Sequence, residues 1–159
     1  MGFNLNTDDK KVAGAIQIVH SVQGQMSGHQ HTKHYTLKEA RELMAWIRGR
    51  VKVVQQLLEE LENRGFDVVN GKWTPRGNGH STGPPPEEYR NFLELIAELD
   101  SKSIFVKNFV KGIVNIPHVM SDGEEVYLCW LVDELTIAYW HRINDRFSDR
   151  MPYPEIREK

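Results

Sequence analysis

The chain has 159 residues, 40% hydrophobic and 26% charged, the proportions of one globular domain with a real core. Lys and Arg number 20 against 22 Asp and Glu, a net charge of −2, so no global basic field draws the protein to nucleic acid or anionic lipid. One cysteine excludes an internal disulfide, and no stretch approaches the roughly 20 apolar residues that span a bilayer. The expectation is a cytoplasmic protein with neither nucleic acid nor membrane as partner.

Residues 1–35 read as a polar N-terminal arm. Acidic residues come first, and the apolar run 12–22 is broken by Gln17, His20 and Ser21, which is not the order of a signal peptide. The arm ends in His29-Gln30-His31-Thr32-Lys33-His34. In an extended segment His29 and His31 point to one side, a geometry suited to a divalent transition metal, with His34 as third ligand. His20, or His80 from a later loop, could add to it. The spacing matches no closed zinc motif, and a solvated linker containing histidines is the bland alternative.

Residues 36–150 are expected to form a single α+β domain. Thr36 and Glu39 form a capping-box pattern at its start. Leu37, Ala40, Met44, Ile47, Val51, Val54, Leu58 and Leu61 then repeat at alternating spacings of 3 and 4, which predicts a helix over 36–63. A second apolar line, Leu43, Trp46, Val53 and Leu57, widens its face beyond the stripe of about 100° that a surface helix needs. The excess predicts packing on two neighbours, one of them another helix or another subunit.

The stretch 66–69 is a brief strand or a tail to that helix. Half of the sixteen residues 71–86 are Gly or Pro, so a loop is expected there. Arg76 to Gly83 only superficially resembles a phosphate cradle, since it lacks the Gly-Lys-Ser/Thr ending. Pro86-Glu87-Glu88 suits a helix start, and Tyr89, Phe92, Leu93, Ile96 and Leu99 carry the 3–4 period to residue 100. Two long amphipathic helices joined by a loop predict an antiparallel helical hairpin.

After Ser103 the period falls toward 2, and strands are expected at 104–109, 113–118, 125–131 and 136–142. Lys102, Lys107 and Lys111 near Phe105 and Phe109 could meet an anion, but solubilising charge on an edge strand explains them better. Asp122-Gly123 turns one hairpin and Asp133-Glu134 the next. If the second turn is tight, Trp130 faces Ile137, Leu128 faces Tyr139, and Val126 faces His141. Both faces of that hairpin are then apolar: one meets the helices, and the other meets a partner, a ligand or the arm. Residues 151–159 read as a loose C-terminal tail. The fold class is α+β, an antiparallel helical hairpin packed on a small antiparallel β-meander.

The stretch 112–150 carries a resemblance. Gly112-Ile113-Val114-Asn115-Ile116-Pro117, then Asp122-Gly123, Val126-Tyr127-Leu128-Cys129-Trp130, Trp140-His141, Phe147 and Arg150 resemble the closing motif of the prokaryotic family catalogued as domain of unknown function 2203. The resemblance implies a fold and a patch of interest, without an activity. It begins near Tyr35, so the arm lies outside it. Asn115 stands where that pattern has Asp, and Ser148-Asp149 replaces a small-residue step.

His141, beside Glu134 and Asp145, is the candidate acid–base group; a hydrogen-bonded structural histidine is the alternative. Trp130, Tyr139 and Trp140 are candidates for an aromatic ligand pocket, with Arg146 or Arg150 holding an anionic group. Cys129, mid-strand and without a CxxC companion, is expected to be packed and inert. The leading expectation is a non-enzymatic, self-associating dimeric module. Its alternatives are a small metal-dependent or acid–base enzyme, or an aromatic-pocket protein for a small-molecule ligand.

Overall fold

Thr36 caps the first helix as its spacing predicts. In the computed structural model, which describes residues 28–74 and 83–154, Thr36 Oγ1 accepts the Glu39 amide at 3.0 Å, and Glu39 Oε1 accepts the Thr36 amide at 2.9 Å. The expected single helix is two segments, α1 (Leu37–Glu42) and α2 (Met44–Asn63). Leu43 joins them while staying right-handed at φ −92, and its amide donates to Ala40 rather than to residue 39. One tightened turn therefore interrupts the pattern without redirecting the seam. Ala40, Ile47, Val51, Val54, Leu58 and Leu61 are all buried. Gly65, at φ +84, ends α2 in the left-handed region that glycine tolerates.

Helix α3 (Glu87–Ser101) follows Pro86, which sits at the N-cap, with Glu87 and Glu88 in the first turn. Arg50 pairs with Glu98 at 3.1 Å and Arg64 with Glu88 at 2.7 Å, so α2 and α3 run antiparallel. Between them, β1 (Phe66–Asp67) pairs with β2 (Lys72–Trp73). Asp67 closes this small hairpin by accepting the Val69 and Asn70 amides. The loop expected from Gly71 thus begins as a strand, and its residues 75–82, with His80, lie outside the described residues.

The meander is β3 (Phe105–Asn108), β4 (Ile113–Val119), β5 (Glu125–Leu131), β6 (Tyr139–Arg142) and β7 (Met151–Pro152), antiparallel throughout and in that spatial order. The last strand corrects the expectation of a loose tail from residue 151. Met151 pairs with Trp140, Pro152 with Tyr139, and Tyr153 packs on the core. Proline is tolerated there because the strand is at the sheet's edge.

The β5–β6 register is shifted by one residue from the one a tight Asp133-Glu134 turn would set. Leu128 pairs with Trp140, Tyr127 with His141 and Val126 with Arg142. The connection is long: Glu134 folds back, its amide donating to the Leu131 carbonyl at 2.7 Å and its Oε1 accepting the Leu131 amide at 3.1 Å. A one-residue slip exchanges the two faces of a strand, so Trp140 comes to the helix side and His141 to the other.

Val114, Ile116, Leu128 and Trp130 pack on the helices, with Trp130 completely buried. Phe105, Asn115, Tyr127, Cys129 and His141 share the opposite face and are buried too. The end of the arm covers part of that face, with His31 5.1 Å from the Phe105 ring and 5.4 Å from the Tyr127 ring.

Candidate functional site

Glu125 opens β5, and its carboxylate gathers the arm around it. Oε1 accepts the Gln30 amide at 2.7 Å; Oε2 accepts the His31 amide at 2.9 Å and His34 Nε2 at 2.8 Å. Next door the Tyr35 amide donates to the Pro117 carbonyl at 2.9 Å, which pins the arm against β4. The His29 and His34 rings stand edge to face, 5.2 Å apart. One ligand atom each from His29, His34 and Glu125 lies within 4.8 Å of the other two, all three side chains being partly buried. Burial alone would raise the Glu125 pKa. The bonds from His34, Gln30 and His31 outweigh it and hold the carboxyl below its ordinary range.

The expected metal set of His29, His31 and His34 is rearranged. Residues 28–30 bend rather than extend, so two residues' separation no longer puts both imidazoles on one side. His31 instead turns onto the sheet, where it is buried and its Nε2 shares a 2.6 Å hydrogen bond with the Tyr127 hydroxyl. Glu125 is the third member of the cluster with His29 and His34 that could hold a metal ion. The sequence marks it only as a strand start after Asp122-Gly123, and its partner His34 is 91 positions away. His20 falls outside the described residues. His118 is a further site neighbour that the sequence did not single out. Its Nδ1 donates to the Tyr35 carbonyl at 2.7 Å and its Nε2 meets the Tyr153 hydroxyl at 2.9 Å, so it clasps the arm and the last strand together. Burial, and secondarily the charge of His34, lower its pKa against the opposing effect of the Tyr35 bond.

The residues around the second hairpin do not assemble as the tight turn implies. His141 is 2% exposed rather than at an open margin; its Nδ1 donates to the Arg142 carbonyl at 2.7 Å and its ring packs on Tyr127. Glu134 is tied to Arg150 through two bonds of 3.1 and 2.6 Å, and Asp145 lies 3.4 Å from the Arg142 amide. Arg150 is further held between the Tyr139 and Phe147 rings, 4.2 Å from each, and reaches the Cys129 carbonyl. Arg146 is paired with Asp149. Trp130 is sealed in the core with its indole N–H donating to the Glu134 carbonyl, and Trp140 packs on that same side. Tyr139 is on the other side, because the register slip parts it from Trp130 and brings Trp140 to the Trp130 side in its place. The Cys129 thiol is buried and pushed up to about 12, so it is a packing group at neutral pH. Asn115 Oδ1 is buried without a hydrogen-bond partner among the described residues.

Residues 33–153 match the family model described as "Uncharacterized conserved protein (DUF2203)". The chain belongs to this family. The DUF2203 match includes His34 and Glu125, and it begins four residues after His29. No curated protein and no solved structure matches the chain. No helix among the described residues of this DUF2203 chain is long and apolar enough to cross a membrane.

Proposed function

We propose that this protein binds a divalent transition metal through His29, His34 and Glu125. The observation that carries the proposal is the convergence of two imidazoles and one carboxylate, from an arm and a strand, within 4.8 Å. A metal about 2.1 Å from each ligand holds neighbouring ligand atoms about 3–3.4 Å apart, so modest side-chain rotation closes the set. In the described structure the His34–Glu125 contact requires a proton on Nε2, and the metal takes that proton's place. Two histidines and a glutamate leave at least one coordination position for water, the arrangement of a catalytic rather than a closed structural metal. This supports a metal-dependent activity over a purely structural module.

Titration of chelator-treated protein with Zn²⁺ tests the proposal. One equivalent should bind, and the His29→Ala/His34→Ala double variant should lose that binding, whereas His31→Ala should keep it because the His31 ring faces Tyr127. Retention of a full equivalent by the double variant would end this assignment.

Self-association is a second proposal, favoured by one observation. Leu43, Trp46 and Leu57 from the helix's wide face pack within the chain, but Val53 stays 43% exposed. If a second copy covers it, Val53→Glu should shift a sedimenting dimer to monomer with helicity unchanged. A monomer in the unsubstituted protein at tens of micromolar would dismiss the dimer. We place the protein in the cytoplasm on the strength of its single, buried thiol.

A further inference from the structure

Where the arm passes into α1, a cavity of about 510 Å³ opens between it, the start of α2 and the end of α3. Lys33, Tyr35, Leu43, Trp46, Ser101 and Lys102 line it. Small-molecule sites have this character: a volume of about 300–1,000 Å³, apolar walls and a few placed polar groups. The walls here are two aromatic rings and a leucine, and the charged lining groups are both lysines.

Those lysines rest on rings rather than on carboxylates. Lys33 Nζ lies 4.7 Å from the Tyr35 ring centroid and Lys102 Nζ 5.8 Å from that of Trp46. Neither is ion-paired among the described residues. Arg50, 4.1 Å from the Trp46 ring, adds a third cation, already matched by Glu98. Against them stand Glu39, which acts on the Tyr35 phenol, and the carbonyl end of α3. That end is partly satisfied: the Tyr35 hydroxyl donates to the Lys102 carbonyl at 2.5 Å and the Ser101 hydroxyl to the Glu98 carbonyl at 2.7 Å. The charged side chains that line the cavity are thus both cations, in a chain whose net charge is −2.

We propose that this cavity binds a small aromatic carboxylate, its flat apolar body against Trp46 and Leu43 and its charge answered by Lys33 and Lys102. Apolar walls give such a ligand affinity, and two ammonium groups select its anionic end. The proposal is independent of the metal site, whose ligands do not line this cavity.

The test is calorimetric titration of chelator-treated protein with 1-naphthoate, so that no bound metal can capture the carboxylate. One saturating equivalent is expected. The Lys33→Met/Lys102→Met variant, verified folded by circular dichroism, should bind about tenfold more weakly. The neutral 1-naphthalenemethanol should lose a similar factor, and inorganic phosphate alone should not saturate. No saturation by naphthoate at millimolar concentration overturns the proposal. So does unchanged affinity in the lysine variant, or phosphate binding as tightly as naphthoate.

Discussion

Replacing Glu125 with alanine should weaken the proposed metal binding severely and loosen the arm in the same step. The carboxylate accepts hydrogen bonds from Gln30, His31 and His34 at 2.7, 2.9 and 2.8 Å. Removing it takes away one of three proposed ligands and leaves those donors without their acceptor. An orphaned donor that stays buried costs about 1–3 kcal/mol, and bonds to a charged acceptor are at the upper end. The metal affinity should fall by about 100-fold or more, since even outer partners of metal ligands are worth about 10–100-fold. Glu125→Gln separates the two effects. Its amide oxygen still accepts, so hydrogen exchange at Gln30 and His31 should stay slower than in the alanine variant, while metal affinity drops. Unchanged exchange at both amides in Glu125→Ala would show that the carboxylate does not hold the arm. The pH dependence has the same origin. A carboxyl held below its ordinary pKa stabilises the fold above its unfolded-state value near 4.5, and that contribution is lost as pH falls through the lower, folded value.

Gly112→Ala should destabilise the fold strongly for the addition of one methyl group. Gly112 has φ +74, and a Cβ built there would lie 2.6 Å from Val132 Cγ2 and 3.2 Å from Gln55 Nε2. The left-handed conformation costs an L-residue about 1–2 kcal/mol, and forcing a methyl into packed side chains about 1–3 more. The position also carries two backbone bonds: its amide donates to Asn108 and its carbonyl accepts from Val132. Thermal unfolding should show a loss of about 2–5 kcal/mol. Val132→Ala in the same chain should recover only the part due to the clash, because the backbone penalty stays. Full recovery would mean that the positive φ is costless here, and no loss at all would contradict the packing.

The long helix was legible because its signal is local and repeated. Ile47, Val51, Val54, Leu58 and Leu61 are buried where the 3–4 spacing places them, and β5 occupies the expected 125–131. Strand existence was legible for the same reason; strand register was not. Asp133-Glu134 looks like a tight turn, yet Glu134 is held by the Leu131 amide on one side and Arg150 on the other. No local pattern announces an ion pair across 16 positions, and with it went the placement of Tyr139, Trp140 and His141. The histidine cluster was half legible. His29 and His34 are near one another in sequence, but Glu125 is brought to them by the order of the strands alone.

That distance has a thermodynamic consequence. His34 and Glu125 are 91 residues apart, and bringing the ends of so long a flexible segment together costs about 4 kcal/mol of chain entropy. Here β4 and β5 bear that cost, so an ion bound as proposed would find its ligands already gathered. The unfolded chain offers no such site, and an ion that binds only the folded form stabilises it by RT ln(1 + [L]/Kd). Metal at a hundred times its Kd would thus contribute about 2.7 kcal/mol, visible as a rise in melting temperature.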